Sequence, residues 1–209
     1  MGEIKIGKIT LGVCQTNTYF IYREECGDAI VIDPADKGEY IYEKLKEKGF
    51  CVKHILLTHG HFDHIWGVEG MKAQSGADVY ASEDETELLN DPGMNCSRMF
   101  KKPCTVIPDV SLKDGETVNL CNMDIRMIKT PGHTIGSCCF YIEEAGFLIS
   151  GDTLFNSSVG RTDFPTGSMS SLIRSIKEKL LILPDETKVY PGHGDATSIA
   201  FERENNPFI

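Results

Sequence analysis

Positive charge is in short supply along this chain: 21 lysines and arginines stand against 31 aspartates and glutamates, a formal net charge of −10 at pH 7. Such a surface repels polyanions, so nucleic acid and anionic membranes are not expected partners, and a small-molecule substrate is. Also missing is any apolar run long enough to cross a bilayer, and the opening MGEIKIGKIT has no apolar stretch of signal-peptide length. A cytoplasmic location is therefore expected. No C-x-x-C pair occurs among the eight cysteines, Cys14, Cys26, Cys51, Cys96, Cys104, Cys121, Cys138 and Cys139. That removes the usual dithiol and thiolate-zinc signatures, and in a reducing compartment these residues read as small buried hydrophobes rather than disulfides. Adjacent Cys138 and Cys139 are expected on opposite faces of a strand.

Internal repeats and low-complexity tracts are absent too, and strand-like and helix-like stretches alternate instead. At 209 residues the chain suits one domain over 1–209, large enough to bury a core without staples. Strands are expected at YFIY (19–22), AIVID (29–33), HILLT (54–58), ADVYA (77–81), MDIRMIKT (123–130), CCFYI (138–142), GFLIS (146–150) and KVY (188–190). Ile41, Tyr42 and Leu45 mark a short helix closed by Gly49, and Ile65, Val68 and Met71 one that ends near Gly76. Ser82 with Glu85 reads as a capping box for a helix that stops by Pro92. Met169, Leu172, Ile173, Ile176 and Leu180 form the best amphipathic stripe. This pattern predicts a layered α/β or α+β fold.

Histidine is scarce, six in all, yet THGHFDH at 58–64 takes three of them. Imidazole is neither a strong helix former nor a good core filler, so the cluster points to binding. The arrangement recurs. ILLTHGHFDH, IKTPGHT, LISGDT and KVYPGHG are each a strand-like run ending in a loop with a metal-competent side chain beside a glycine. Together they supply His59, His61, Asp63, His64, His133, Asp152 and His193 as candidate ligands; His54 reads as an ordinary strand side chain. One such loop alone is a plain turn, but four sharing one design are hard to explain by packing. Seven N and O donors exceed one tetrahedral ion and suit two divalent ions about 3.5–4 Å apart. The natural partition puts His59, His61 and His133 on one ion, Asp63, His64 and His193 on the other, with Asp152 bridging, although spacing alone leaves individual assignments open.

His59, His61, Asp63 and His64 resemble the H-x-H-x-D-H motif of the metallo-β-lactamase superfamily, and His133, Asp152 and His193 follow in the order of its later ligands. The resemblance spans nearly the whole chain. It implies an α/β fold, an αββα sandwich of two mixed β-sheets flanked by helices, with the metals at one edge. SGDTLF (150–155), GRTDFPTGS (160–168), PGHG (191–194) and NNPF (205–208) look like the short glyoxalase II-like group, which hydrolyses hydroxyacyl-glutathione thioesters. Asp152 stands where many true β-lactamases carry cysteine, which argues against antibiotic hydrolysis as the main role. The chain ends at Ile209, so the C-terminal helical domain through which full-length glyoxalase II holds glutathione is expected to be missing.

The function implied is hydrolysis of a thioester such as S-lactoylglutathione by a metal-activated hydroxide, with Asp63 both a ligand and a residue that orients the water. Zinc is the favoured metal, while iron and manganese accept the same donors. Asp33 is a candidate partner for a ligating imidazole, and Arg161 and Asp163 are expected to pair. The irregular segment 90–109 is expected to cover the metals and to attract an anionic substrate through Arg98, Lys101 and Lys102. The competing reading is a persulfide dioxygenase, with a single iron on His59, His133 and Asp152. A superfamily nuclease fits the acidic balance poorly, and a closed, tetrahedral structural site fits poorly with an arrangement that leaves water exposed.

Overall fold

The computed structural model describes residues 2–209. The first six strands, β1 (Ile4–Leu11), β2 (Thr16–Arg23), β3 (Asp28–Ile32), β4 (Cys51–Leu56), β5 (Asp78–Ser82) and β6 (Val110–Leu112), form one sheet in sequence order. β1, β2 and β3 pair antiparallel, whereas β3 through β6 run parallel. The second half supplies β7 (Thr117–Leu120), β8 (Met123–Lys129), β9 (Cys138–Ile142) and β10 (Phe147–Gly151). The short hairpin β11 (Leu154–Phe155) and β12 (Ser158–Val159) follows, and then β13 (Lys188–Pro191) and β14 (Thr197–Ser198). The second sheet has the order β14-β13-β10-β9-β8-β7, with β10 and β13 parallel and its other pairs antiparallel. Both sheets are thus mixed, and they stack face to face.

Alternation along the strands assigns their faces. Ile30 and Ile32 of β3 enter the core between the sheets, and Val31 turns outward to the helices. In β9, Cys138, Phe140 and Ile142 face inward while Cys139 and Tyr141 face out, so the two cysteines do lie on opposite faces. Helices α1 (Gly38–Glu47), α2 (Phe62–Ile65), α3 (Val68–Ser75) and α4 (Thr86–Asn90) belong to the first half, and α5 (Met169–Ser175) and α6 (Ile199–Asn205) to the second. Ile41, Leu45, Val68 and Met71 pack on the first sheet; Leu172, Ile176, Leu180 and Ile199 pack on the second. Truncating a fully buried member such as Ile30 to alanine costs about 2–5 kcal/mol, because the rigid layers collapse only partly into the void.

Several local expectations change. The helix expected from Ile65 to Gly76 is broken into α2 and α3 at Gly67, whose N–H donates to the Pro34 carbonyl. The amphipathic stripe from Met169 begins as α5, capped by Ser168, and continues as a π-helical turn through Leu180. Strand β1, unmarked by any turn signal, lies at the open edge of its sheet. The capping box is not formed: the Ser82 hydroxyl is buried without a partner, and Glu85 points elsewhere. Among the described residues no helix is long and apolar enough to cross a membrane.

The pairing directions place the candidate loops together. β8, β10 and β13 point the same way, since β9 is antiparallel to both β8 and β10, and β10 is parallel to β13. Their C-terminal ends therefore share one edge of the second sheet. Hydrogen bonds join that edge to the C-terminal end of β4 and the start of β2: Cys138 N donates to Thr58 O at 2.8 Å, and Asn17 N to Gly192 O at 2.8 Å.

Candidate metal centre

Four loops converge on one cleft. His59 and His61 come from the turn after β4, Asp63 and His64 from the single turn of α2, His133 from the β8–β9 loop, Asp152 from the end of β10, and His193 from the end of β13. All seven sequence-predicted residues meet. The rings of His59, His61 and His133 lie 4.6–4.9 Å apart, centre to centre, and His61 Nδ1 is 2.8 Å from His133 Nε2. Asp152 sits between the groups, with Oδ1 3.4 Å from His64 Nε2 and Oδ2 3.6 Å from His133 Nε2 and 3.4 Å from His193 Nε2. Asp63 Oδ2 lies 3.4 Å from His193 Nε2 and 3.7 Å from His64 Nε2.

The donor set fits divalent cations on two observations. First, His59 Nε2, His61 Nε2, His64 Nε2 and Asp152 Oδ1 are buried with no hydrogen-bond partner, which is costly unless something else takes their lone pairs. Second, His59, His61 and His133 form one group, and Asp63, His64 and His193 another, whose donor atoms lie within 4.8 Å of one another. Asp33, His59 and His64 satisfy the same distance. Asp33 is already spent: Oδ1 accepts from Thr58 N at 2.8 Å, and Oδ2 accepts from Thr58 Oγ1 at 2.6 Å and faces His64 Nδ1 at 2.8 Å. It orients a candidate ligand rather than offering a free donor itself. Gly192 is required here, since a Cβ on it would fall 2.3 Å from Asp152 Oδ1.

The other ring nitrogens of His59, His133 and His193 are also held, which fixes the orientation of those imidazoles. His59 Nδ1 faces Thr58 Oγ1 at 3.1 Å, His133 Nδ1 the Arg161 carbonyl at 2.7 Å, and His193 Nδ1 the Cys14 carbonyl at 3.2 Å. Thr16 Oγ1 donates to Asp63 Oδ2 at 2.8 Å. Of these supports only Asp33 was visible in the sequence. Thr16, Thr58 and the carbonyls of Cys14 and Arg161 carry no local signal, because backbone oxygens have none and threonine is common in strands.

Charge separates the two groups. Burial pushes His59 far below its ordinary value, and burial together with the neighbouring His133 takes His61 down to about 3. His133 is lowered by burial as well. Burial opposes charge on His64 and His193 too, but Asp63 and Asp152 outweigh it, raising His64 well above its usual range and His193 to about 9. For Asp63, burial would raise the carboxyl; His64 and the hydrogen bonds from His193 and Thr16 hold it at about 2 instead. Asp152 stays well below the carboxylate range for similar reasons, burial again being overcome by His64 and His193.

The cleft, about 220 Å³, is walled by Phe62, Cys96, Met99, Phe100, Arg161 and Phe164. Segment 90–109 therefore does border the cleft of the candidate ligands, but through apolar side chains. Arg98, Lys101 and Lys102 do not line it; Lys102 is drawn to Asp36 at 2.9 Å and lies over Trp66. Phe100 packs on Phe62 with ring centres 4.2 Å apart. Arg161 is paired twice with Asp163, at 2.7 Å each, and its guanidinium lies 4.0 Å from the Phe164 ring centre. His54 lies outside the cleft lining and stacks edge-on to Tyr80.

This fold and donor set are those of a metal-dependent hydrolase, and the chain belongs to the metallo-β-lactamase superfamily, whose profile matches residues 11–193. It is 36% identical to a probable metallo-hydrolase, YqgX, of Bacillus subtilis, over 99% of this chain and 98% of that one. It is 33% identical to the hydroxyacylglutathione hydrolase GloC of Haemophilus influenzae, over 93% of each. Among solved structures, the B3 metallo-β-lactamase BLEG-1 superposes with a TM-score of 0.92 at 37% identity, covering 98% of this chain and 99% of that one. TTHA1623 in a di-iron-bound form gives 0.86 at 34%, covering 97% and 100%. ETHE1 from Myxococcus xanthus gives 0.81 at 29%, covering 97% and 83%.

Proposed function

We propose that the chain hydrolyses a thioester at a centre of two divalent cations, with S-lactoylglutathione as the type substrate. His59, His61 and His133 would hold one cation; Asp63, His64 and His193 would hold the other; Asp152 would serve both. Zinc is the favoured metal, with iron and manganese as alternatives that the same donors accept. When bound, such cations polarise a carbonyl oxygen and lower the pKa of water towards neutrality.

The observation that carries the substrate class is what the cleft wall contains. Outside the candidate ligands its polar side chains are Cys14, Cys96 and Arg161. Burial pushes both thiols up, Cys14 to about 11, and the guanidinium is occupied by Asp163. An amine leaving group needs a proton from a general acid, and no carboxylic acid, lysine or free imidazole in that wall offers one. A thiol of pKa about 8.5 leaves as its anion without one. Asp63 Oδ2 is engaged by Thr16, which leaves Oδ1 to orient the attacking water. The GloC relative, named for hydroxyacylglutathione hydrolysis, supports the same class.

Elemental analysis of the purified protein, paired with assays on S-lactoylglutathione and on a chromogenic β-lactam, tests this reading. About two metals per chain and thioester turnover well above β-lactam turnover are expected; a metal-replete protein that spares every thioester offered, or that prefers the lactam, overturns it. The second reading, persulfide dioxygenation at one iron, is kept by the likeness to ETHE1 and by the adjacency of His133 and Asp152. The complete Asp63, His64 and His193 group favours the hydrolase. Oxygen uptake with glutathione persulfide would decide for the rival.

A further inference from the structure

Glu85 is a buried carboxylate that the hydrolysis does not use, only 1% exposed. No lysine, arginine or histidine nitrogen lies within ion-pair distance of it among the described residues, so its charge has no counter-ion there. Burying such a group is expensive, and burial does push this carboxyl up, to about 7. Its oxygens are spent in one place. Oε1 accepts from Gly60 N at 2.8 Å and Thr134 Oγ1 at 2.8 Å; Oε2 accepts from Gly136 N at 2.8 Å and lies 3.0 Å from Thr134 Oγ1.

The positions of those donors give the arrangement its meaning. Gly60 separates His59 from His61, while Thr134 and Gly136 follow His133. One carboxylate therefore ties together the two loops that carry the three-histidine group, and it touches neither Asp63, His64 nor His193 in any hydrogen bond. The approach is close: a Cβ on Gly136 would fall 2.4 Å from Glu85 N and 2.5 Å from Oε2. A glutamine has the same shape but one acceptor oxygen, so its NH2 would meet the N–H of Gly60 or of Gly136, donor against donor.

We propose that Glu85 is a positioning residue for the His59, His61 and His133 group: it sets the distance between the two loops and thereby the affinity of that group, and not of the second, for a divalent cation. The inference rests on reading those histidines as a cation site. Groups that orient ligands are worth about 10–100-fold in metal affinity.

The test isolates each group. Glu85→Gln is combined with His193→Ala, which leaves the three-histidine group, and separately with His61→Ala, which leaves the second. Each protein is stripped with chelator and titrated with Zn²⁺ against a chromophoric competitor, and with Co²⁺ to read the ligand-field spectrum. In the His193→Ala background Glu85→Gln should weaken binding about 10–100-fold and change the Co²⁺ spectrum. In the His61→Ala background binding should stay within about threefold. Equal losses in both backgrounds, or no loss in either, overturn the proposal. Should Glu85→Gln fail to fold, Thr134→Ala carries the question, with a smaller loss expected in the first background alone; no loss there is equally fatal. Failure of His193→Ala protein with native Glu85 to bind any Zn²⁺ would instead defeat the reading of the three histidines as a cation site.

Discussion

The two halves of the candidate centre are prepared for a cation by opposite means. His59, His61 and His133 are neutral imidazoles in a buried pocket, their protonation opposed by burial and by one another, with nitrogens of His59 and His61 left without partners. Asp63, His64 and His193 are a carboxylate and two imidazoles whose proton affinity the carboxylates raise, so the group compensates its own charge in the absence of metal. Exposure differs too: the His193 side chain of the second group is 29% exposed, whereas that of His133 in the first is 3% exposed. The first group is ready for a cation as it stands, and the second must give up protons to accept one.

The strongest way to break this comparison is at the ligands. His61→Ala should lose metal from the first group and lower turnover by about 100-fold or more, as removal of a transition-state electrophile does; near-normal turnover by metal-depleted protein would end the mechanism. Next in size, Asp33→Asn should weaken binding by the second group about 10–100-fold, because an amide cannot fully replace the carboxylate that holds His64 Nδ1 and Thr58. A chelator-competition titration reads it, and unchanged affinity would show that Asp33 matters only to the turn before Pro34.

Proton release sharpens the same contrast. His193 holds its proton up to about 9 and His64 is raised as well, so at pH 7 a cation entering the second group must displace protons, and affinity there should rise at least about tenfold per pH unit up to that point. His61 sits near 3, so the first group should show no such slope near neutrality. Calorimetry in buffers of different ionisation enthalpy counts the protons; identical counts for the two groups would remove the distinction. The smallest effect lies at the rim. Phe100→Ala should raise KM about fivefold with kcat kept, the worth of about 1 kcal/mol of aromatic contact. Charge reversal at Lys101 and Lys102 should leave KM within about twofold, since neither lines the cleft; a larger rise for an anionic thioester would restore the steering role expected of that segment.

Glu85 shows where local reading misleads. Ser82 and Glu85 have the spacing of a capping box, which is a contest between nearby backbone donors for one side chain. Donors from two distant loops won it, and no pattern in residues 82–86 foretells Gly60 or Gly136 as partners. Segment 90–109 teaches the same lesson in reverse: its basic residues are conspicuous in the sequence, but Asp36 and Trp66 claim Lys102, and the cleft receives Cys96, Met99 and Phe100. Strand β1 carries little sequence signal because its alternation is only half-buried at a sheet edge.

By itself the sequence determined the identity of the candidate donors, the strands that carry them and the alternation that sorts each strand's two faces, because side-chain chemistry and a period of two residues are local properties. Tertiary structure decided which C-terminal strand ends share an edge, which carbonyls and hydroxyls steady each imidazole, and where Glu85 and Lys102 turn. Those outcomes depend on which groups from remote segments arrive within hydrogen-bond range once the layers have packed, and such competition is resolved only in three dimensions.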